Sequence, residues 1–225
     1  MRFLFAFYIL LIGSSFAYGK AETDSLFNKL DKAIAATDRI DADKLKKIED
    51  IRRSLIPQHN LIVQFNLYSK LYEEYKLFNF DSAFNAAKKL EDIATQLNDA
   101  SRIIASKNKL SFVLLSAGLY KEAYDYLSTI NVAGHPDSIK AEFYTSLGRY
   151  YYDLSDYNND SFYSSIYITK GNAYIDSALG YYPKTSFEWN YYIGLKNLKE
   201  GKLDKAYASF QSLINRSNLG HHQLA

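Results

Sequence analysis

The chain offers few groups for covalent or metal chemistry. It has four histidines and no cysteine. Disulfides, thiolate zinc sites and cysteine nucleophiles are therefore excluded, as is lipid attachment to an N-terminal cysteine. His59 follows Pro57 and His135 precedes Pro136, so both belong to turns. His221 and His222 sit side by side in a polar tail. No His-Glu-x-x-His pair, glycine-rich phosphate loop or Gly-x-Ser-x-Gly elbow is present. Adjacent carboxylates such as Glu73 and Glu74 diverge on a helix and do not converge on one proton. The sequence thus predicts no catalytic residue, no cofactor and no metal. What remains is aromatic. There are 21 tyrosines, 12 of them between positions 144 and 192, enough for either an aromatic core or a recognition surface. Tyrosine combines a flat apolar body with a polar tip at low entropic cost, which suits both uses.

Helices must position these side chains. Three prolines and ten glycines are too few for the many turns of a β-sandwich. Leu26, Phe27, Leu30, Ala33 and Ile34 trace one helical face behind the cap candidates Asp24 and Ser25. A second run, from Asp41, aligns Leu45, Ile48, Ile51 and Leu55 and stops at Pro57. Residues 20–57 are thus expected to form an N-terminal helical pair. From Gln58 onward, helical patterns are broken at Asn79, at Asn98 and Asp99, and at Gly118. Further breaks fall at 134–136, at 157–160, at Pro183 and at Gly201. The net charge of +2 with no basic run carries no footprint for nucleic acid. Asn159 and Asn215 each open a glycosylation acceptor pattern, which matters only in a eukaryotic host.

The first nineteen residues read as an address. Arg2 precedes an uncharged run from Phe3 to Ile12, and the small residues Ala17 and Gly19 follow at the spacing of a cleavage site. The run is shorter than the ~20 residues needed to cross a bilayer. A signal peptide over 1–19 and an exported, periplasmic mature chain are expected.

The breaks are not random. Gly201, Leu203, Ala206 and Phe210 follow the second half of a 34-residue helix-pair pattern, with Ile193 and Gly194 where its first half places a large and a small residue. Gly118, Ala123 and Leu127 give a second copy, and Phe80, Ala83 and Ala87 a weaker one. Leu147, Gly148 and Tyr151 open another, closed by Ala178 and Pro183, with about 11 extra residues near 153–165 relative to the repeat length. Over roughly 58–217 the chain resembles the tetratricopeptide (TPR) family in about four degenerate repeats. The tail at 218–225 is a truncation point or end. The resemblance implies an all-α fold: a right-handed superhelical array of antiparallel helix pairs, a TPR-like α-solenoid that binds and does not catalyse. It also implies a concave face lined by the first helix of each pair. Carried over residue by residue, that face comprises Tyr68, Tyr72 and Tyr75, then Asn108 and Phe112, then Glu142, Thr145, Arg149 and Tyr152, then Glu188 and Tyr191. Tyr72, Arg149 and Tyr152 are expected to stand exposed in the groove, where a protein or peptide partner would lie. Tyr151, Tyr174 and Trp189 are expected to fill gaps between helices.

Residues 25–34 and the charged helix after them are also similar to the N-terminus of bacterial membrane-bound regulators. These carry a periplasmic TPR array, one membrane helix and a cytoplasmic DNA-binding end. That resemblance implies a periplasmic protein- or ligand-binding sensor module of a longer transcriptional regulator. The chain reaches Ala225 without a polar capping helix, so a continuation is expected, and with it the only membrane contact. Two other readings stay open: a free periplasmic adaptor for envelope complexes, and a glycan-uptake binding protein.

Overall fold

The computed structural model describes residues 2–215, with side chains from Thr23 onward except at position 33. His221, His222, the end of the acceptor pattern at 215–217 and the tail at 218–225 lie outside the described residues. The helices are α1 (Arg2–Leu55), α2 (Leu61–Tyr75), α3 (Phe80–Gln96), α4 (Ala100–Ser116), α5 (Tyr120–Leu127), α6 (Asp137–Asn158), α7 (Tyr163–Leu179), α8 (Phe187–Lys199) and α9 (Leu203–Ile214). No strand occurs among the described residues. The chain divides into two compact units, 1–53 and 54–225.

The first unit corrects one expectation. In place of a helical pair over 20–57, one unbroken helix passes through both proposed starts. The reason is local. Between Lys20 and Leu55 there is neither proline nor glycine. Asp38, Asp41 and Asp43 are poor helix formers, but each costs only about 0.7 kcal/mol or less, too little to break a helix.

In the second unit each sequence break is a turn, and the chemistry of each turn is visible. Asn60 accepts from the backbone N–H groups of Ile62 (2.9 Å) and Val63 (3.2 Å) at the start of α2. Asn79 caps α3 through Ser82 N–H at 2.8 Å, and Asp99 caps α4 through Arg102 N–H at 2.9 Å. Ser186 caps α8 through Trp189 N–H at 3.0 Å. These bonds satisfy donors that a helix start leaves orphaned. Gly118 and Gly201 adopt φ of +75° and +72° between the two helices of their pairs, a left-handed geometry that glycine alone takes without strain.

The helices pack as four successive pairs: α2 with α3, α4 with α5, α6 with α7, and α8 with α9. We call the first of each pair the A helix and the second the B helix. Ala83, Ala123, Ala178 and Ala206 are all buried where the repeat pattern calls for small residues. Glycine permits the closest approaches. A Cβ on Gly171 would stand 2.5 Å from the Tyr152 ring, one on Gly148 2.5 Å from the Ile175 side chain, and one on Gly194 2.9 Å from Phe210. Leu90, Leu110, Val113, Leu127 and Ile175 fill the spaces between. The result is an all-α helical-repeat solenoid. The extra residues near 153–165 lengthen α6 to 22 residues and form its junction with α7.

Candidate functional site: the A-helix face

Helices α2, α4 and α6, with α8 and the segment before it, bring a charged and aromatic cluster together. On α2, Glu73 takes ion pairs from Lys76 and from Lys109 of α4, each at 2.7 Å. Lys109 also lies over the Tyr72 ring at 4.5 Å, and the Tyr72 hydroxyl donates to the Lys109 carbonyl at 3.2 Å. Phe112, one turn beyond Asn108, is covered by the Arg149 guanidinium of α6 at 4.2 Å, with Lys76 at 5.8 Å from the same ring. Arg149 donates from Nε to Asp153 (3.2 Å) and from a terminal nitrogen to Ser116 (3.0 Å). Its other terminal nitrogen is buried with no protein partner. Thr145, one turn before Arg149, pairs with the Tyr182 hydroxyl at 3.3 Å, and Tyr182 stacks on Tyr192 at 5.9 Å.

The electrostatics follow from burial and neighbours. Burial pushes the Glu73 carboxyl up, but Lys109 and Lys76 outweigh it and hold the group below the ordinary carboxylate range. Glu142 is pushed up by desolvation, with Lys109 opposing and Glu73 reinforcing. Desolvation raises Tyr72 well above its usual value, so its hydroxyl remains a donor. Asp153 is likewise raised by burial, against the pull of Arg149. Three carboxylates thus face three cations, and the cluster carries no strong net charge.

The structure redistributes the expected face. Phe112, Glu142, Thr145 and Arg149 are half-buried within the cluster. Tyr72 belongs to it but is only 2 % exposed, and Tyr152 is 1 % exposed, so neither stands open in a groove. Tyr152 points to the B helix, where its hydroxyl bonds Asn172 at 2.6 Å. Its ring occupies the space that Gly171 leaves. Tyr75 is buried too. Asn108 is 1 % exposed, and neither end of its carboxamide has a protein partner. Tyr68 is half-buried. Glu188 and Tyr191 are exposed, and Tyr191 packs against Phe187 and Phe210. Tyr151 and Tyr174 stack at 5.6 Å between α6 and α7, as gap-filling residues should. Glu73, Lys76, Lys109, Tyr182 and Tyr192 were not anticipated. Lys76 was findable, since it lies one helical turn from Tyr72 on the same face. Tyr192 in place of Tyr191 is a one-residue slip, about 100° around the helix.

Among the described residues no group of three or more His, Asp or Glu side chains is placed to hold a metal ion. No helix searched there is long and apolar enough to cross a membrane. The family described as the SusR N-terminal TPR domain matches residues 34–225, most of the chain. The chain belongs to that family. No curated protein and no solved structure matches it. The SusR TPR assignment covers the whole A-helix cluster and the four helix pairs. It agrees with the TPR pattern of Gly118, Ala123, Gly201 and Ala206 and with a repeat scaffold of the kind that typically binds partners.

Proposed function

We propose that the chain is an exported sensor module of a longer membrane-bound regulator, and that its A-helix face receives a protein or small-molecule ligand. The observation that carries this reading is the cluster around Phe112 and Arg149. The Phe112 ring and the half-buried Arg149 guanidinium are gathered from separate helices onto one face, with the unpaired Asn108 carboxamide buried one turn from Phe112. Buried polar groups without protein partners are uncommon in a packed core, where each costs about 1–3 kcal/mol. The Asn108 carboxamide and the unpaired Arg149 nitrogen are both closed to solvent in this state, so a ligand bonding them would have to open the packing of this face. Export rests on Arg2, the apolar run after it and the small residues at 17 and 19.

Two experiments test the reading. A fusion of residues 1–60 to a reporter active only outside the cytoplasm should be active, and silent without residues 1–19. Retention of activity by the shortened fusion would remove the export claim. Partners or ligands retained from envelope extract by the wild type should be lost with Arg149→Ala and Phe112→Ala. Unchanged retention by both variants would overturn the A-helix face as the site.

A further inference from the structure

The turns that join A to B helices lie along one edge of the second unit. Lys76 and Phe80 share a pocket with Ser116 and Ala117, Tyr120 meets Tyr157 at 5.3 Å, and Lys199 pairs with Asp156 at 2.5 Å. This edge is conspicuously apolar. At the α2–α3 turn Leu77, Phe78 and Phe80 are exposed, and at the α4–α5 turn Leu119 is. At the α6–α7 tip Tyr157 and Phe162 are 73 % and 65 % exposed, with Tyr163 beside them. The connections α3–α4, α5–α6 and α7–α8 at the opposite edge expose only one large hydrophobic, Tyr181.

The α6–α7 tip is a rigid knob. Asp160 accepts from the Phe162 and Tyr163 N–H groups at 2.9 and 2.6 Å. Ser164 donates to the Ser155 carbonyl at 3.0 Å, and Ser155 donates back to the Ser164 carbonyl at 3.3 Å. Two turns away along the same edge is a pocket of about 350 Å³ lined by Leu77, Phe78, Phe80 and Val113. An aromatic ring fits in roughly 150 Å³. The one charged residue in that lining, Lys76, is already paired with Glu73, and Asp156 beside the knob with Lys199, so the contact offered is mainly apolar.

We propose that this edge is the interface between two copies of the chain, related by a two-fold axis through the α4–α5 turn. Three turns in a row, with the pocket first and the knob third, are self-complementary under that rotation. The knob of each copy meets the pocket of the other, and Leu119 meets its own counterpart on the axis. An interface with one shared patch on both partners is what a closed dimer requires. The seven exposed side chains named at the three turns offer on the order of 600 Å² per copy. Each is taken at about half the ~150–250 Å² an aromatic residue buries, and the total approaches the ~800 Å² per partner of a specific complex. A knob already held by its own hydrogen bonds loses little entropy on docking. This interface borders the A-helix cluster, sharing Lys76 and Ser116 with it, but does not depend on that face binding a ligand.

The absence of cysteine makes a clean test possible. Phe78→Cys and Phe162→Cys variants of the full chain are oxidised separately and as a mixture. The mixture should yield a product of twice the chain mass on non-reducing denaturing gels, and each variant alone little. In sedimentation velocity the wild type should double in mass with concentration, and Phe162→Ser/Tyr163→Ser, both at exposed positions, should remain at one chain. A wild type of single mass at all concentrations overturns the proposal, as does cross-linking of either variant with itself as readily as in the mixture. So does flotation of a monomeric wild type with phosphatidylethanolamine vesicles that is lost in the Phe162→Ser/Tyr163→Ser variant.

Discussion

Asn108 and Glu142 show how single polar side chains of the A helices can cost stability. Asn108 buries a carboxamide whose donor and acceptor have no protein partner. Replacing it by the near-isosteric leucine should stabilise the fold by about 1–3 kcal/mol, the usual cost of an unpaired buried polar group. Chemical denaturation with an unchanged slope would check this, and a loss of stability would mean that the amide is satisfied in solution. Glu142 and Glu73 should behave oppositely with pH. The folded state raises the Glu142 pKa above its ordinary 4.5, so it binds that proton more tightly than the unfolded chain. Stability is then lost as pH rises through the folded value. Glu142→Gln should therefore raise the melting temperature at pH 7, with the gain fading below about pH 4.5. Glu73 has a lowered pKa, so its contribution is present above 4.5 and lost as pH falls through the folded value. Glu73→Gln should lower the melting temperature at pH 7, with the loss fading in acid. Parallel melting curves for the two variants at both pH values would contradict this assignment. At this scale the sequence was half legible. The TPR register located Phe112, Glu142 and Arg149, because positions on one helix repeat predictably. It missed Lys109 and Tyr182, whose roles depend on contacts to Glu73 of another helix and to Thr145 on the far side of α7 in sequence.

At the scale of elements, the breaks were readable because their residues have conformational reasons to be there. Asn79, Asp99 and Ser186 cap helices with their own side chains, and Gly118 and Gly201 take the left-handed φ their turns require. The start proposed at Asp41 failed for the complementary reason. An aspartate is a good cap where a helix must begin, but nothing nearby forces an end, so the helix continues. The small-residue positions of the repeat were also legible, and they differ in what a substitution would meet. At Gly148 a new Cβ meets Cδ1 and Cγ1 of Ile175 at 2.5 and 2.7 Å, the outer arm of a side chain that no hydrogen bond holds in place. At Gly171 it meets the ring atoms of Tyr152, whose hydroxyl is tied to Asn172. Gly171→Ala should therefore destabilise by about 1–3 kcal/mol, the range for overpacking, and Gly148→Ala by less. Equal losses at both positions would show that Tyr152 yields as readily as Ile175. The tightness of this α6–α7 crossing also fixes the long tip that carries Tyr157 and Phe162, so Gly171→Ala should weaken any role of that tip alongside stability.

For the solenoid as a whole, the density of the core sets where it opens first. Helices α3 and α4 bury long runs of side chains, among them Ala83, Ala87, Leu90, Leu110, Ser111 and Val113. The last pair is lightly seated. Among its residues only Gly194 on α8 and Ala206 and Leu213 on α9 are buried. Repeat arrays behave as nearly one-dimensional stacks, each unit held by its own contacts and those to its neighbours. Among the described residues the α8–α9 pair meets its predecessor chiefly through α7, while α4 is flanked by α3, α5 and α6. Local opening should therefore be easiest there. Amide hydrogen exchange is expected to show the slowest exchange in α3 and α4 and exchange at least tenfold faster in α8 and α9, a difference of about 1.4 kcal/mol or more in opening free energy. The ion pairs Lys196–Asp176 and Lys199–Asp156 tie α8 to its predecessors at 2.5 Å each. Their carboxylates are largely exposed, so they should narrow that gap only slightly, and less at high salt. If Tyr192 and Tyr182 close the A-helix face against Thr145, as their stacking indicates, opening of the last pair also uncovers the Arg149 cluster. A ligand on that face should then slow exchange in α8 and α9 more than in α3 and α4. Uniform protection on ligand addition, or uniform exchange without it, would contradict a stack that opens first at the lightly buried α8–α9 pair.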